Sequence, residues 1–102
     1  MTDSFGIPKK HWQNIVSLFS NIDGLSSVIL FGSRAKGNFR NGSDIDLCLK
    51  ETIPPHVLSQ IQEAYENLYL PWKLDVILWE NVENEDLKEH IKRVGIEVYP
   101  KP

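Results

Sequence analysis

One cysteine, one methionine and three arginines stand among 102 residues, and no aliphatic or aromatic run exceeds four residues, as at Val28–Phe31. Each scarcity excludes something. A lone Cys48 cannot form an internal disulfide. No basic region followed by an apolar stretch opens the chain, so no secretory leader is expected; with the single cysteine this predicts a cytoplasmic protein. Runs of four apolar residues cannot cross a bilayer, and no membrane association is expected. A basic excess is missing as well. Eleven basic against 14 acidic residues leave a net charge of −3, which argues against direct DNA binding. There is no internal repeat and no dividing linker, and a chain of this length suits one domain, 1–102. With 41% hydrophobic and 25% charged residues, it has the balance of a folded domain rather than a disordered one.

What is present is a regular alternation of two periodicities. Pro8 is suited to the first turn of a helix, and Trp12, Ile15, Val16, Phe19 and Ile22 follow at spacings of three and four until Asp23-Gly24 ends the pattern. Ser27–Phe31 is β-branched and apolar between glycines, as a buried strand would be. Gly32-Ser33 then opens a short helical turn, and 38–43 is a loop by composition. Asp44–Lys50 alternates, with Ile45, Leu47 and Leu49 on one face and Asp44, Asp46 and Cys48 on the other. Pro54-Pro55 begins a helix striped by Val57, Leu58, Ile61, Tyr65 and Leu68. Lys73–Leu78 alternates again, with Asp75 opposite Leu74, Val76 and Leu78. Asn84 caps a last helix carrying Glu85 and Asp86 in its first turn, Gly95 stops it, and Ile96–Tyr99 forms a short edge strand. The expected architecture is α+β in two layers: a mixed sheet with helices packed on one face and carboxylates on the other.

The charge distribution adds chemistry. No acidic residue lies between Asp23 and Asp44, whereas Arg34, Lys36 and Arg40 all do; Asp44 and Asp46 then arrive together. A basic stretch followed by paired carboxylates suits a metal-chelated polyphosphate. Gly32 permits close backbone approach to a phosphate, and Ser33 adds a hydroxyl. Asp44 and Asp46, about 7 Å apart along one strand face, can share a cation. Asp75 joins them if its strand is a neighbour. An all-oxygen donor set selects Mg²⁺, or Mn²⁺, over zinc, and two such ions clamp the oxygens of a nucleotidyl transfer. Six aspartates in 102 residues would produce about 0.35 Asp-x-Asp pairs by chance, so the pair alone is weak. The conjunction carries the argument, because clustered acids repel unless a cation offsets them.

Gly32-Ser33, ten residues, then Asp44-x-Asp46 resembles the signature of the DNA polymerase β-like nucleotidyltransferases. The stretches FGSRAKGNFRNGSDIDLCL and WKLDVILW, in so small a chain, are similar to the minimal nucleotidyltransferases (MNT) encoded beside HEPN-domain partners. The resemblance implies a polymerase β-like palm in which Asp44 and Asp46 bind two metal ions. Asp75 would complete the catalytic-metal site and help take the acceptor proton. Gly32 and Ser33 would hold the β- and γ-phosphates, and Arg34 and Lys36 would steady the triphosphate. It further implies ATP as substrate, AMP transfer to a hydroxyl, and a HEPN toxin whose tyrosine is the acceptor, so that the chain acts as an antitoxin in a hetero-oligomer. Larger members carry a helical domain for which the chain after Asp75 leaves no room, so a second chain is expected to complete the site. Two alternatives stay open: a nucleotide-binding module that neutralises its partner by occlusion, and the catalytic subunit of a small-molecule, aminoglycoside-type transferase.

The remaining residues read more plainly. Cys48 is expected to be inert filler. His11, His56 and His90 share no ligand spacing and are placed on solvated helix faces. Trp72 and Trp79 bracket the Asp75 strand, where core-edge packing is favoured over a partner-facing patch. Asn38 and Arg40 are divided evenly between a solvated turn and contact with nucleotide or partner.

Overall fold

A computed structural model describes residues 3–100; of the expected domain, residues 1–2 and 101–102 lie outside the described residues. The chain opens with two short strands, β1 (Asp3–Ser4) and β2 (Ile7–Pro8), which pair antiparallel. Such two-residue strands leave too little alternation to be read from sequence. Helix α1 (Lys9–Ser17) follows with Pro8 at its N-cap, one position before the helix proper. It is shorter than its apolar stripe: Phe19 is buried from the turns that continue beyond Ser17.

The main sheet has the order β5–β4–β3–β6, formed by β3 (Val28–Phe31), β4 (Ile45–Leu49), β5 (Leu74–Leu78) and β6 (Ile96–Tyr99). β3 pairs antiparallel with β4 and β6, whereas β4 and β5 run parallel, so the sheet is mixed. The parallel pair requires a crossover, which α3 (Pro55–Glu66) supplies. Two side chains of α3 tie it to the far end of that crossover: Gln62 Nε2 donates to Leu74 O at 3.2 Å, and Tyr65 Oη to Trp72 O at 2.5 Å. Helix α2 (Gly32–Lys36) fills the turn after β3, and α4 (Glu85–Val94) precedes β6. The Asn84 side chain caps α4 by accepting from Leu87 N at 3.1 Å.

Strand alternation sets the layers. Val28, Leu30, Ile45, Leu47, Leu49, Leu74 and Leu78 form the main core with Trp12 and Ile15 of α1 and Ile61 and Tyr65 of α3. Fully burying such a side chain is worth about 1.5–3 kcal/mol, so this face dominates folding. The opposite face carries Asp46 and Asp75, as the alternation predicts. That face is not wholly free, however. Phe31 and Cys48 meet Ile91 of α4 and Val82 in a second, smaller core, bordered by Ile29, Ile77, Trp79 and Leu87. An amphipathic stripe says that a helix must cover something apolar, not which face of the sheet it covers. Gly95 ends α4 through lack of space rather than a left-handed turn: its φ is −60°, and a Cβ there would stand 2.3 Å from Ile91 O and 2.6 Å from Ile29 Cγ2. Among the described residues no helix is long and apolar enough to cross a membrane.

Candidate active site

The parallel register of β4 and β5 sets Asp46 directly opposite Asp75, so the two carboxylates share one face at one level of the sheet. Asp44 lies just before β4, where Ile45 N donates to Lys73 O at 2.8 Å and closes that end of the strand pair. Asp44 and Asp75 are exposed and Asp46 is half-buried. The Asp46 carboxyl is pushed above its ordinary value, first by burial and then by the charges of Asp75 and Asp44; Arg34 and Lys73 pull the other way. Lys73 was not singled out from sequence. It stands two positions before Asp75, and a cation so close to an alternating acidic strand was the available signal.

The turn after β3 overhangs this group. Phe31 pairs with Asp46 across the antiparallel ladder, so Gly32 and Ser33 follow immediately above it. Gly32 has φ +76°, and a Cβ on it would lie 2.3 Å from Asp46 Oδ2. Both the backbone conformation and the closeness of the carboxylate require glycine here. Ser33 is half-buried, while Lys36 is exposed on the same short helix.

Arg34 is placed differently from the expectation that it steadies a triphosphate. It is 2% exposed, with its guanidinium turned into the fold. Nη1 donates to Phe5 O at 2.8 Å, Nη2 to Ser43 O at 2.8 Å and Asn41 O at 3.4 Å, and Nε to Ser43 O at 3.2 Å. The rings of Phe39 and Trp72 flank it at 5.2 and 5.8 Å. Burial draws its pKa down from the ordinary value, against the pull of Tyr65, Asp44 and Asp46. Arg34 therefore clamps the loop that ends at Ser43, immediately before Asp44. Its five donors in a rigid fork suit a set of convergent carbonyls.

His90 also departs from its expected place on a solvated face. It is half-buried, and its Nε2 accepts the Gly32 N–H at 3.0 Å. His56 is exposed, and His11 leans toward Trp72 at 6.2 Å. Trp72 serves the loop: its Nε1 donates to Asn41 O at 3.0 Å. Trp79 borders the smaller core, with Lys92 Nζ over its ring at 5.7 Å. Asn38 and Arg40 are exposed in the loop. Cys48 is fully buried, its thiol pushed up to about 11 by burial.

Asp44, Asp46 and Asp75 offer only oxygen donors, which suits a hard divalent cation. The acidic group carries unrelieved repulsion at Asp46, which a cation would relieve. Among the described residues, no three His, Cys, Asp or Glu side chains converge closely enough to form a ready-made metal site. Two of the three carboxylates stand in solvent, where like charges keep apart.

Residues 13–102 match the model of the family described as "Polymerase beta, Nucleotidyltransferase". Over 77 residues the chain is 34% identical to the probable protein adenylyltransferase MntA of Haemophilus influenzae, covering 74% of this chain and 67% of that one. The fold is similar to a chain of a solved toxin–antitoxin structure with AMP-PNP, with a TM-score of 0.66 and 20% identity, over 83% of this chain and 69% of that one. It is also similar to a chain of the tri-AMPylated Shewanella oneidensis HEPN toxin in complex with MNT antitoxin, with a TM-score of 0.60 and 18% identity, over 87% and 69% of the two chains. The Gly-Ser turn above an Asp-x-Asp strand thus sits in a chain that belongs to the polymerase β nucleotidyltransferase family, in its minimal nucleotidyltransferase branch, and is a nucleotidyltransferase.

Proposed function

We propose that this chain transfers AMP from ATP to a hydroxyl of a HEPN-domain protein encoded nearby, a tyrosine being the intended acceptor, and so acts as the antitoxin of a pair. The observation that carries the reading is Asp46 opposite Asp75 beneath the Gly32-Ser33 turn, with Asp44 beside them. The adenylyltransferase name of the MntA relative and the toxin–antitoxin complexes among the similar folds support the partner.

In this reading Gly32 and Ser33 hold the β- and γ-phosphates, and exposed Lys36 steadies the triphosphate and the departing pyrophosphate. Arg34 acts one step removed, by fixing the loop before Asp44. Asp44, Asp46 and Asp75 would hold Mg²⁺, which when bound supplies charge neutralisation for the phosphates and lowers the acceptor's proton affinity. Asp75 accepts the acceptor's hydroxyl proton. The acceptor oxygen bonds to the α-phosphorus as the bond from that phosphorus to the bridging oxygen breaks, and pyrophosphate leaves with that oxygen. Asp75 stands exposed on the edge strand β5, which leaves room for an acceptor presented by another protein.

The test is to co-purify the chain with its adjacent HEPN partner, add ATP and Mg²⁺, and weigh the intact partner. A gain of one or more AMP units is expected, with a loss of at least about 100-fold in rate for Asp44→Asn. An unchanged partner mass within a tight complex would replace this reading with neutralisation by occlusion.

A further inference from the structure

The contact between His90 and Gly32 joins residues 58 positions apart and ends on the turn assigned to the phosphates. Gly32 is the first residue of α2, so its N–H has no partner within that helix. The imidazole of α4 provides one, at 3.0 Å. A backbone amide can only donate, so Nε2 is the accepting, lone-pair nitrogen of this contact. Phe31 meets the same ring edge-on, with centroids 6.2 Å apart and planes at 82°, which fixes its orientation. The imidazole thus bridges the smaller core and the Gly-Ser turn.

We propose that His90 is a positioning residue of the nucleotide site: through its Nε2 it holds the Gly32 amide and sets the orientation of the Gly32-Ser33 turn toward the triphosphate. This rests on the reading of that turn as the phosphate contact. With Gly32 N–H engaged by the imidazole, the turn donates to phosphate through the Ser33 amide and hydroxyl, and Gly32 contributes the close backbone approach that its lack of a side chain allows. Gly32, free of a side chain, would otherwise sample many conformations. A tether from α4 removes that freedom before nucleotide arrives, which favours binding by preorganisation. A turn that meets the triphosphate at the γ-phosphate, remote from the bond that breaks, holds it alike in ground and transition states, so the effect falls on nucleotide affinity and KM more than on kcat.

Two variants separate the acceptor from the ring. His90→Phe keeps the aromatic packing against Phe31 and removes the lone pair. His90→Gln keeps an acceptor at similar reach and removes the ring. With folding checked by circular dichroism and thermal melting, His90→Phe is expected to raise KM and Kd for Mg·ATP about tenfold with kcat within about twofold. His90→Gln is expected to stay within about threefold of the wild type. Wild-type affinity in His90→Phe, or equal impairment of the two variants, would overturn the proposal while leaving the nucleotide site intact. A wild-type chain that binds no ATP would overturn the site and this proposal together. Should His90→Phe fail to fold, ¹⁵N spectra of the wild-type imidazole decide: an unprotonated Nε2 with a protected Gly32 amide supports the tether, and a protonated Nε2 overturns it.

Discussion

Two positions on one strand face, Asp46 and Cys48, stand two residues apart and meet opposite surroundings. Cys48 lies under α4, fully enclosed by Phe31, Val82 and Ile91. Asp46 lies past the edge of that cover, half-buried beneath the Gly32 turn and facing Asp75. Burial raises the pKa of both groups, with different consequences. A thiol held at about 11 is neutral near pH 7 in the fold, so its burial costs little. A carboxylate is charged, and every increment of burial or neighbouring acid weighs against the folded form. The boundary of α4 therefore divides the sheet face into a part that stabilises and a part that holds charge at some expense.

Exchanging the chemistry across that boundary has the largest expected effect. Cys48→Asp would bury a carboxylate among Phe31, Val82 and Ile91, where the charge of Lys50 offsets only part of the desolvation, at a cost of roughly 3–5 kcal/mol. Urea denaturation measures this; a loss below about 1 kcal/mol would show that α4 does not seal the site. Arg34→Lys comes next. A single amine cannot reach the carbonyls of both Phe5 and Ser43, so a loss of about 2–3 kcal/mol is expected, with transfer weakened through the loop before Asp44. Retained stability but lost triphosphate binding would restore Arg34 as a direct phosphate ligand. The smallest effect is of opposite sign. Asp46→Asn should raise the melting temperature of the metal-free chain slightly at neutral pH while removing the extra stabilisation by Mg²⁺.

The pH dependence sharpens that last comparison. Because the folded-state pKa of Asp46 is raised, its ionisation penalty is present at neutral pH and fades as pH falls through that folded value. The advantage of Asp46→Asn should fade with it. Glu51 has the opposite sign. The Ser26 hydroxyl and the Ser26 and Ser27 amides hold its carboxyl below the ordinary value, so its contribution is present at neutral pH and disappears in acid. Glu51→Gln should therefore destabilise at pH 7 and converge on the wild type in acid. Melting curves across pH for both variants would expose a wrong sign in either.

These contrasts also mark what was legible in the residues. Alternation placed Ile45, Leu47 and Leu49 against Asp46, and Leu74, Val76 and Leu78 against Asp75, because strand periodicity is local. The Asn84 cap and the Gly-Ser, Asp-x-Asp spacing are local as well. Arg34 was misplaced because an isolated arginine is normally exposed; nothing near it in sequence shows that Phe5, Asn41 and Ser43 aim carbonyls at one point. His90 escaped for the same reason, since its partner lies on another element. Gly95 was recognised as a stop, but its cause, the nearness of Ile29, appears only when β3 and α4 are side by side.

The parallel pairing of β4 with β5 has a consequence in time. Antiparallel neighbours can zip from a turn, but β5 docks only after α3 has carried the chain back along the sheet. Asp46 and Asp75 therefore become a pair at the end of that crossover. A chain emerging from the ribosome presents the Gly-Ser turn and Asp46 first and completes the acidic face only when β5 takes its place. Under the proposed reading of that pair, chemical competence arrives with closure of the sheet, and a chain whose β5 is not in place lacks one of the two carboxylates.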